Sequence, residues 1–263
     1  GDEKDITVKG LEAIKSCDKV FLEMYTAILG IDKNRLSEFY GKEVIEADRN
    51  LVESGSDDII NQASTSNIAF LVVGDPFCAT THTDLFLRAK EQGVEIQVIH
   101  NASIMNAVAS CGLQLYRFGE AVTIPFFTET WKPYSFFDKV LANFEHNLHT
   151  LVLLDIKVKE QTTENLLRGN NIFEPPRYMS CSVAAEQIIE SIEQHENKSI
   201  TADTICFGLA RIGGVTQKIA SAPLRDFVDQ VDMGGPLHTL VIPAKEVHPL
   251  EEEMMKFYSD KKQ

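Results

Sequence analysis

Nowhere does this chain stay apolar for the roughly 18 residues that a membrane-crossing helix needs, and its opening positions Asp2, Glu3, Lys4 and Asp5 are charged. Neither a membrane span nor a secretion signal is therefore expected, and a soluble, cytoplasmic protein is. Paired cysteines are lacking too. Cys17, Cys78, Cys111, Cys181 and Cys206 are scattered, odd in number and without a Cys-x-x-Cys unit, which excludes a disulfide framework or a zinc ribbon and suits reduced thiols. Positive charge is scarce, with 25 Lys and Arg against 39 Asp and Glu for a net charge of −14. Phosphate backbones require a basic footprint, so nucleic acid is not an expected partner. The acidity suits a basic protein partner, although solubility alone also accounts for it. Internal repeats and low-complexity segments are absent as well.

What is present is an ordinary globular composition, 44% apolar and 24% charged over 263 residues, enough for one large domain or two modest ones. Residues 68–73 form an apolar run that stops at Gly74 and Pro76. Such a run predicts a strand covered on both faces, of the kind that belongs to parallel sheets flanked by helices. Thr80, Thr81 and Thr83 are candidate caps for a following helix whose apolar positions Leu85, Phe86 and Ala89 end at Gly93. Open parallel sheets bind ligands beyond the carboxyl ends of their strands, so residues 75–78 are expected to line a crevice. An ordinary strand-to-helix turn would read the same way.

The same patterning predicts helices over residues 6–16, 51–64 and 102–110, and strands over 20–25, 44–47 and 95–99. Residues 37–40 are expected to begin a connection. This alternation describes a doubly wound α/β domain over residues 1–115. From 116 to 263 the rhythm changes. Strands are expected at 121–124, 150–154, 205–210 and 237–242, with helices at 134–145, 183–193 and 249–258 and a long connection at 169–176. Gly213-Gly214 reads as a hairpin turn. This half is expected to be a second, α+β domain with a mixed sheet.

Five blocks carry a resemblance. They are Gly74-Asp75-Pro76-Phe77-Cys78-Ala79-Thr80-Thr81-His82, His100-Asn101-Ala102-Ser103-Ile104-Met105-Asn106-Ala107, Leu154-Asp155-Ile156-Lys157, Glu174-Pro175-Pro176-Arg177-Tyr178-Met179 and Gly208-Leu209-Ala210-Arg211. In this order and spacing the chain resembles the diphthine synthase family, among the tetrapyrrole methylase-like S-adenosylmethionine methyltransferases, over essentially its whole length. The Gly-Asp-Pro loop alone suggests only the wider superfamily; the second and fourth blocks narrow it. The resemblance implies two α/β domains of the tetrapyrrole methylase type with S-adenosyl-L-methionine in the cleft between them, and a homodimer. It also implies methylation of the modified histidine of translation elongation factor 2, with S-adenosyl-L-homocysteine as the second product. Features of the eukaryotic type, Tyr25-Thr26 and Phe126 to Trp131 among them, point to four transfers ending in a methyl ester.

By position, the family's cofactor contacts fall on Asp75, Cys78, Ser103, Ile104, Leu154, Ile212 and His238. Asp75 would accept from a hydroxyl or the ammonium, amides at the Ser103 helix start would take an acceptor group, and Leu154 and Ile212 would sandwich the adenine. Cys78 departs from the glycine frequent in eukaryotic members. The family opens with a strand and a Gly-x-Gly-x-Gly-Asp loop, of which only Gly1-Asp2 is recognisable here, so about ten further upstream residues are expected in the natural protein. Asp155 and Glu174 are candidate carboxylates for proton removal, with loop anchoring as the plainer use of both. His82 is either a base or a residue that caps and orients its loop. His146 and His149 have a metal-like spacing without an evident third ligand, and no metal is expected. Trp131, Phe126 and Phe127 could recognise a protein substrate, or the two phenylalanines could pack in the core. Arg177, beside two prolines, could hold substrate or a partner subunit. Methylation of a tetrapyrrole and a noncatalytic binding module on the same fold are the alternative functions.

Overall fold

The computed structural model describes residues 1–170 and 172–259. They form two compact units, Gly1–Met105 and Asn106–Gln263. Among the described residues no helix is long and apolar enough to cross a membrane.

In the first unit, α1 (Val8–Ser16) starts where the Thr7 hydroxyl accepts from the Gly10 amide, and it leads into β1 (Lys19–Glu23). β1 is the centre of a parallel three-stranded sheet ordered β2-β1-β3, with α2 (Lys33–Tyr40) preceding β2 (Val44–Ala47) and α3 (Ser56–Ala63) preceding β3 (Ile68–Leu71). Val20, Phe21, Leu22 and Glu23 are all buried, as a strand covered on both faces requires. The run at residues 68–73, for which the sequence predicts the same, instead lies at the sheet edge with every residue of β3 partly exposed. Apolar composition records a preference for burial and carries no information on which faces neighbours cover. Ile14, Val20, Leu22, Leu36, Tyr40 and Val44 make the core of this unit.

Residues 37–40 do not begin a connection; they end α2, which starts at the Asp32 cap and closes at Gly41 with φ 68°. The Asp32 carboxylate accepts from the amides of Asn34 and Arg35 at 2.8 and 3.0 Å, so Asp32→Ala is expected to cost about 1 kcal/mol, read from the urea midpoint. The helix predicted over 51–64 is broken into a π-helical turn, Asn50–Ser54, and α3, with Gly55 at the joint. Residues 95–99 join no ladder. Alternation favours a strand, but hydrogen bonds to a partner make one. The helix expected over 102–110 is a single turn, α5 (Ile104–Ala107), running into a 3₁₀ turn that ends at Gly112.

The second unit is built on a mixed five-stranded sheet. α6 (Ser135–Glu145) joins β4 (Val122–Ile124) to β5 (Thr150–Leu154), and these two strands are parallel. A short ladder of β6 (Ile156–Lys157) and β7 (Arg177–Tyr178) flanks α7 (Thr163–Leu167). α8 (Cys181–Gln194), β8 (Ile205–Ala210), β9 (Lys218–Pro223), α9 (Asp226–Asp229), β10 (His238–Ile242) and α10 (Pro249–Ser259) complete the order. The sheet reads β4-β5-β10-β8-β9, antiparallel beyond β5. Phe137, Val140, Ile188, Phe227 and Leu240 are fully buried in its core. β8 and β9 form a hairpin through the loop holding Gly213 and Gly214. β9 is absent from the sequence reading because its residues, Lys-Ile-Ala-Ser-Ala-Pro, are small or mixed; an edge position tolerates them and the terminal proline. Residue 171, within the connection expected at 169–176, lies outside the described residues.

Candidate functional site

The Gly-Asp-Pro loop begins at Gly74 with φ 103°, a conformation that favours glycine. A Cβ at that position would sit 3.4 Å from the Ser103 Cβ, so the loop lies directly against the 101–104 segment. Asp75, only 6% exposed, joins the two. Its Oδ1 accepts from the Phe77 amide at 2.9 Å; its Oδ2 accepts from the Asn101 amide at 3.2 Å and lies 2.9 Å from Nδ1 of His100. Burial pushes the Asp75 pKa up, but the Phe77 amide, His100 and the Asn101 amide outweigh it and hold the carboxyl below the usual range. The side chain is an ionised staple between two loops.

Cys78 donates its amide to the Asp75 carbonyl at 3.2 Å. The Ser103 hydroxyl accepts from the Met105 amide at 3.2 Å, and Ile104 opens α5. α5 has four residues, so the helix dipole expected at Ser103 is short, because a macrodipole sums aligned peptides. The threonines do not cap α4 (Thr83–Glu91): Thr80 donates to the Pro76 carbonyl, and the cap position is His82, whose side chain makes no capping bond. His82 is 5% exposed, packs edge-on to Phe70 at 5.5 Å and has neither ring nitrogen hydrogen-bonded. Burial lowers its pKa.

One polar group escaped the sequence reading. Glu23, fully buried at the carboxyl end of β1, accepts from the amides of Tyr25 and Thr26 at 2.7 and 2.6 Å and from the Thr26 hydroxyl at 2.7 Å. An acidic residue closing the apolar run Val-Phe-Leu was the available signal.

In the second unit Leu154 ends β5, His238 begins β10, and Ile212 lies two residues beyond the end of β8. Register places Thr239 opposite Leu153 and His238 opposite Ala210, so all three share one end of the sheet. The His238 ring is engaged on both sides. Nδ1 accepts from the Cys181 amide at 3.2 Å, and Nε2 faces the carbonyls of Gly234 and Gly235 at 3.0 and 2.9 Å. An amide donates and a carbonyl accepts, so the proton sits on Nε2. Burial lowers the pKa of this imidazole, and its side chain orients backbone. Arg211, at φ 50°, braces the turn before Ile212 by donating to the Met233 carbonyl at 3.0 Å and to Thr216.

The Asp155 carboxylate accepts from the Phe126 amide at 3.1 Å and lies 3.6 Å from Lys157 Nζ, an anchoring geometry; Glu174 is exposed, its amide bonded to the Glu160 carbonyl. His146 is exposed with Nδ1 on the Ala142 carbonyl, whereas His149 is fully buried between the Ala244 amide and Glu251. The two histidines therefore serve different structural contacts. Phe126 and Phe127 pack against the core, Trp131 is 55% exposed, and the Arg177 guanidinium lies 5.0 Å over the Phe126 ring while pairing with Glu160.

The family model for tetrapyrrole (corrin/porphyrin) methylases matches residues 1–227. The chain belongs to this family. Within the tetrapyrrole methylases, it is 57% identical to diphthine methyl ester synthase of Mus musculus over 263 residues, covering 98% of this chain and 93% of that protein. It is 54% identical to diphthine methyl ester synthase of Candida glabrata over 262 residues, covering 99% and 88%. A crystal structure of diphthine synthase matches with a TM-score of 0.82 at 32% identity, covering 98% of this chain and 91% of that one. The α/β architecture expected from the sequence is that of these tetrapyrrole methylases.

Proposed function

We propose that this chain is an S-adenosyl-L-methionine-dependent methyltransferase of diphthamide biosynthesis, a diphthine methyl ester synthase acting on the modified histidine of translation elongation factor 2. The observation that carries this reading is the near full-length identity to animal and fungal proteins of that name. Four transfers are proposed, three to the amine and one to the carboxylate of the modified side chain, by a cytoplasmic homodimer.

The residues present suit the cofactor chemically. Leu154 and Ile212 offer apolar surface to a flat adenine. The loop at 74–78, with Cys78, and the Ser103-Ile104 turn offer main-chain donors and acceptors to polar groups. The Asp75 side chain is engaged internally and ties the 74–78 loop to His100 and Asn101, while His238 fixes the Cys181 amide and the Gly234 and Gly235 carbonyls. When bound, the cofactor supplies a methyl group on a positively charged sulfur that needs no further activation. The protein's part is placement, and holding nucleophile and methyl at near-attack distance is worth roughly 7–11 kcal/mol. An ammonium must lose a proton before each amine transfer, whereas a carboxylate is already nucleophilic.

The test is mass spectrometry of elongation factor 2, taken from cells lacking this activity, after incubation with the protein and S-adenosyl-L-methionine. Four added methyl groups are expected, and three would place the product at the trimethylated stage. No gain despite cofactor binding would favour a tetrapyrrole substrate. No gain and no cofactor protection against thermal unfolding, which reaches about 2.7 kcal/mol at a hundredfold excess over Kd, would favour a noncatalytic module.

A further inference from the structure

We propose that the His100 imidazole, oriented by Asp75, takes the proton from the substrate amine before each amine methylation. This inference rests on the function proposed above and names a residue for its least explained step.

Asp75 is buried and ionised, and His100 Nδ1 lies 2.9 Å from its Oδ2. A carboxylate only accepts, so in the neutral imidazole the proton is on Nδ1 and the lone pair on Nε2. A carboxylate that fixes the tautomer and direction of an imidazole in this way is the arrangement by which general-base histidines are prepared. The His100 side chain is 70% exposed, so Nε2 is open to substrate and to water. The ring meets the Asp75 carboxylate, from the loop after β3, and faces the Phe77 ring at 6.5 Å.

The chain has seven histidines, and the others lack this combination. His149 and His238 have both nitrogens engaged; His82 is sealed from solvent without a polar partner. His195 is occupied on both nitrogens, by Ser191 and Asp138, and His146 and His248 use Nδ1 on local backbone. His100 also sits three residues before Ser103 and is tied through Asp75 to the Gly-Asp-Pro loop, among the residues proposed to hold the cofactor.

The step balances without another reagent. Nε2 takes one proton from the ammonium, the freed nitrogen lone pair attacks the methyl carbon, and the carbon–sulfur bond breaks with its electrons moving to sulfur. The sulfonium becomes a neutral thioether and the nitrogen an alkylated ammonium. The imidazolium then releases its proton to water, which its exposure permits. Three such cycles end at a quaternary ammonium with no proton left. Transfer to the carboxylate needs no base.

The variant is His100→Gln, on an exposed position. Amine transfer is followed by the mass increments of elongation factor 2. Transfer to the carboxylate is followed separately on factor methylated by the wild-type protein and then freed of its ester by mild alkali. His100→Gln is expected to slow amine transfer by roughly 10²–10⁴-fold at neutral pH, with partial recovery as the pH rises. Its ester-forming rate and its protection by cofactor against thermal unfolding should stay near wild type. Wild-type amine rates in His100→Gln, or equal loss of both steps, overturn the assignment. A wild-type protein that adds no methyl group at all would instead overturn the function on which the assignment rests.

Discussion

Glu251→Ala is expected to lower the unfolding free energy by about 3–5 kcal/mol, the range for removing one partner from a buried ion pair. Glu251, at the start of α10, is fully buried. Its Oε1 accepts from the Gln114 amide at 2.9 Å and from His149 Nε2 at 3.0 Å. Its Oε2 accepts from the His248 amide at 2.7 Å and from Arg117 Nη1 at 3.0 Å. His149 Nδ1 accepts from the Ala244 amide, so its one proton is directed at Glu251. Removing the carboxylate takes the acceptor from Arg117 Nη1, an imidazole N–H and two amides. Glu251→Gln keeps the shape but turns an NH₂ group toward donors, so it too should destabilise. Burial lowers the His149 pKa; for Glu251 burial raises the pKa but is outweighed by the Gln114 and His248 amides and His149, leaving it lowered.

Both directions have the same consequence in acid. A lowered folded pKa means that the unfolded chain binds more protons, so stability falls with pH. The His149 contribution should fade as pH drops below about 6.5, and that of Glu251 as it drops below about 4.5, the ordinary values of the two groups. Urea unfolding at pH 7.5 and at successively lower pH measures both effects. A Glu251→Ala midpoint equal to wild type would remove the network from any account of this unit's stability.

Gly208→Ala should destabilise by about 1–3 kcal/mol, the cost of overpacking a close-packed core. That is the opposite of the gain of about 0.4–1 kcal/mol that glycine-to-alanine changes bring where there is room. Gly208 lies within β8, and a Cβ there would fall 2.5 Å from Phe227 Cε1 and 3.2 Å from the Met233 sulfur. Phe227 is fully buried and cannot swing into solvent. In a Phe227→Leu background the added methyl group should cost less, and a double-mutant cycle would report the difference as a coupling between the two positions. Strict additivity would show that the ring does not set the requirement for glycine.

Much of the architecture was legible because its signals are local. The apolar runs at 150–154 and 205–210 and the turn at Gly213-Gly214 appear where patterning places them. So do the helices at 134–145 and 183–193, to within a residue or two. The ordered blocks from Gly74 to Arg211 carried the family. Other features depend on partners that no local window contains. Residues 95–99 alternate like a strand yet pair with nothing, and β9, weak in composition, becomes a strand because β8 lies beside it. α2 went unread although Asp32 and Gly41 bracket it, since its mixed residues mask the period.

Side-chain roles divide along the same line. Residue types and spacing by themselves determined the α/β character, and the ordered blocks carried the resemblance and the positions to inspect. Only the tertiary structure decided that Asp75 staples a loop to a residue 25 positions away, that His238 orients backbone across 57 positions, and that His149 meets a carboxylate across 102. A hydrogen bond acts over about 3 Å. Which groups come that close depends on how the sheets and loops fold back, and neighbours in sequence carry no record of it.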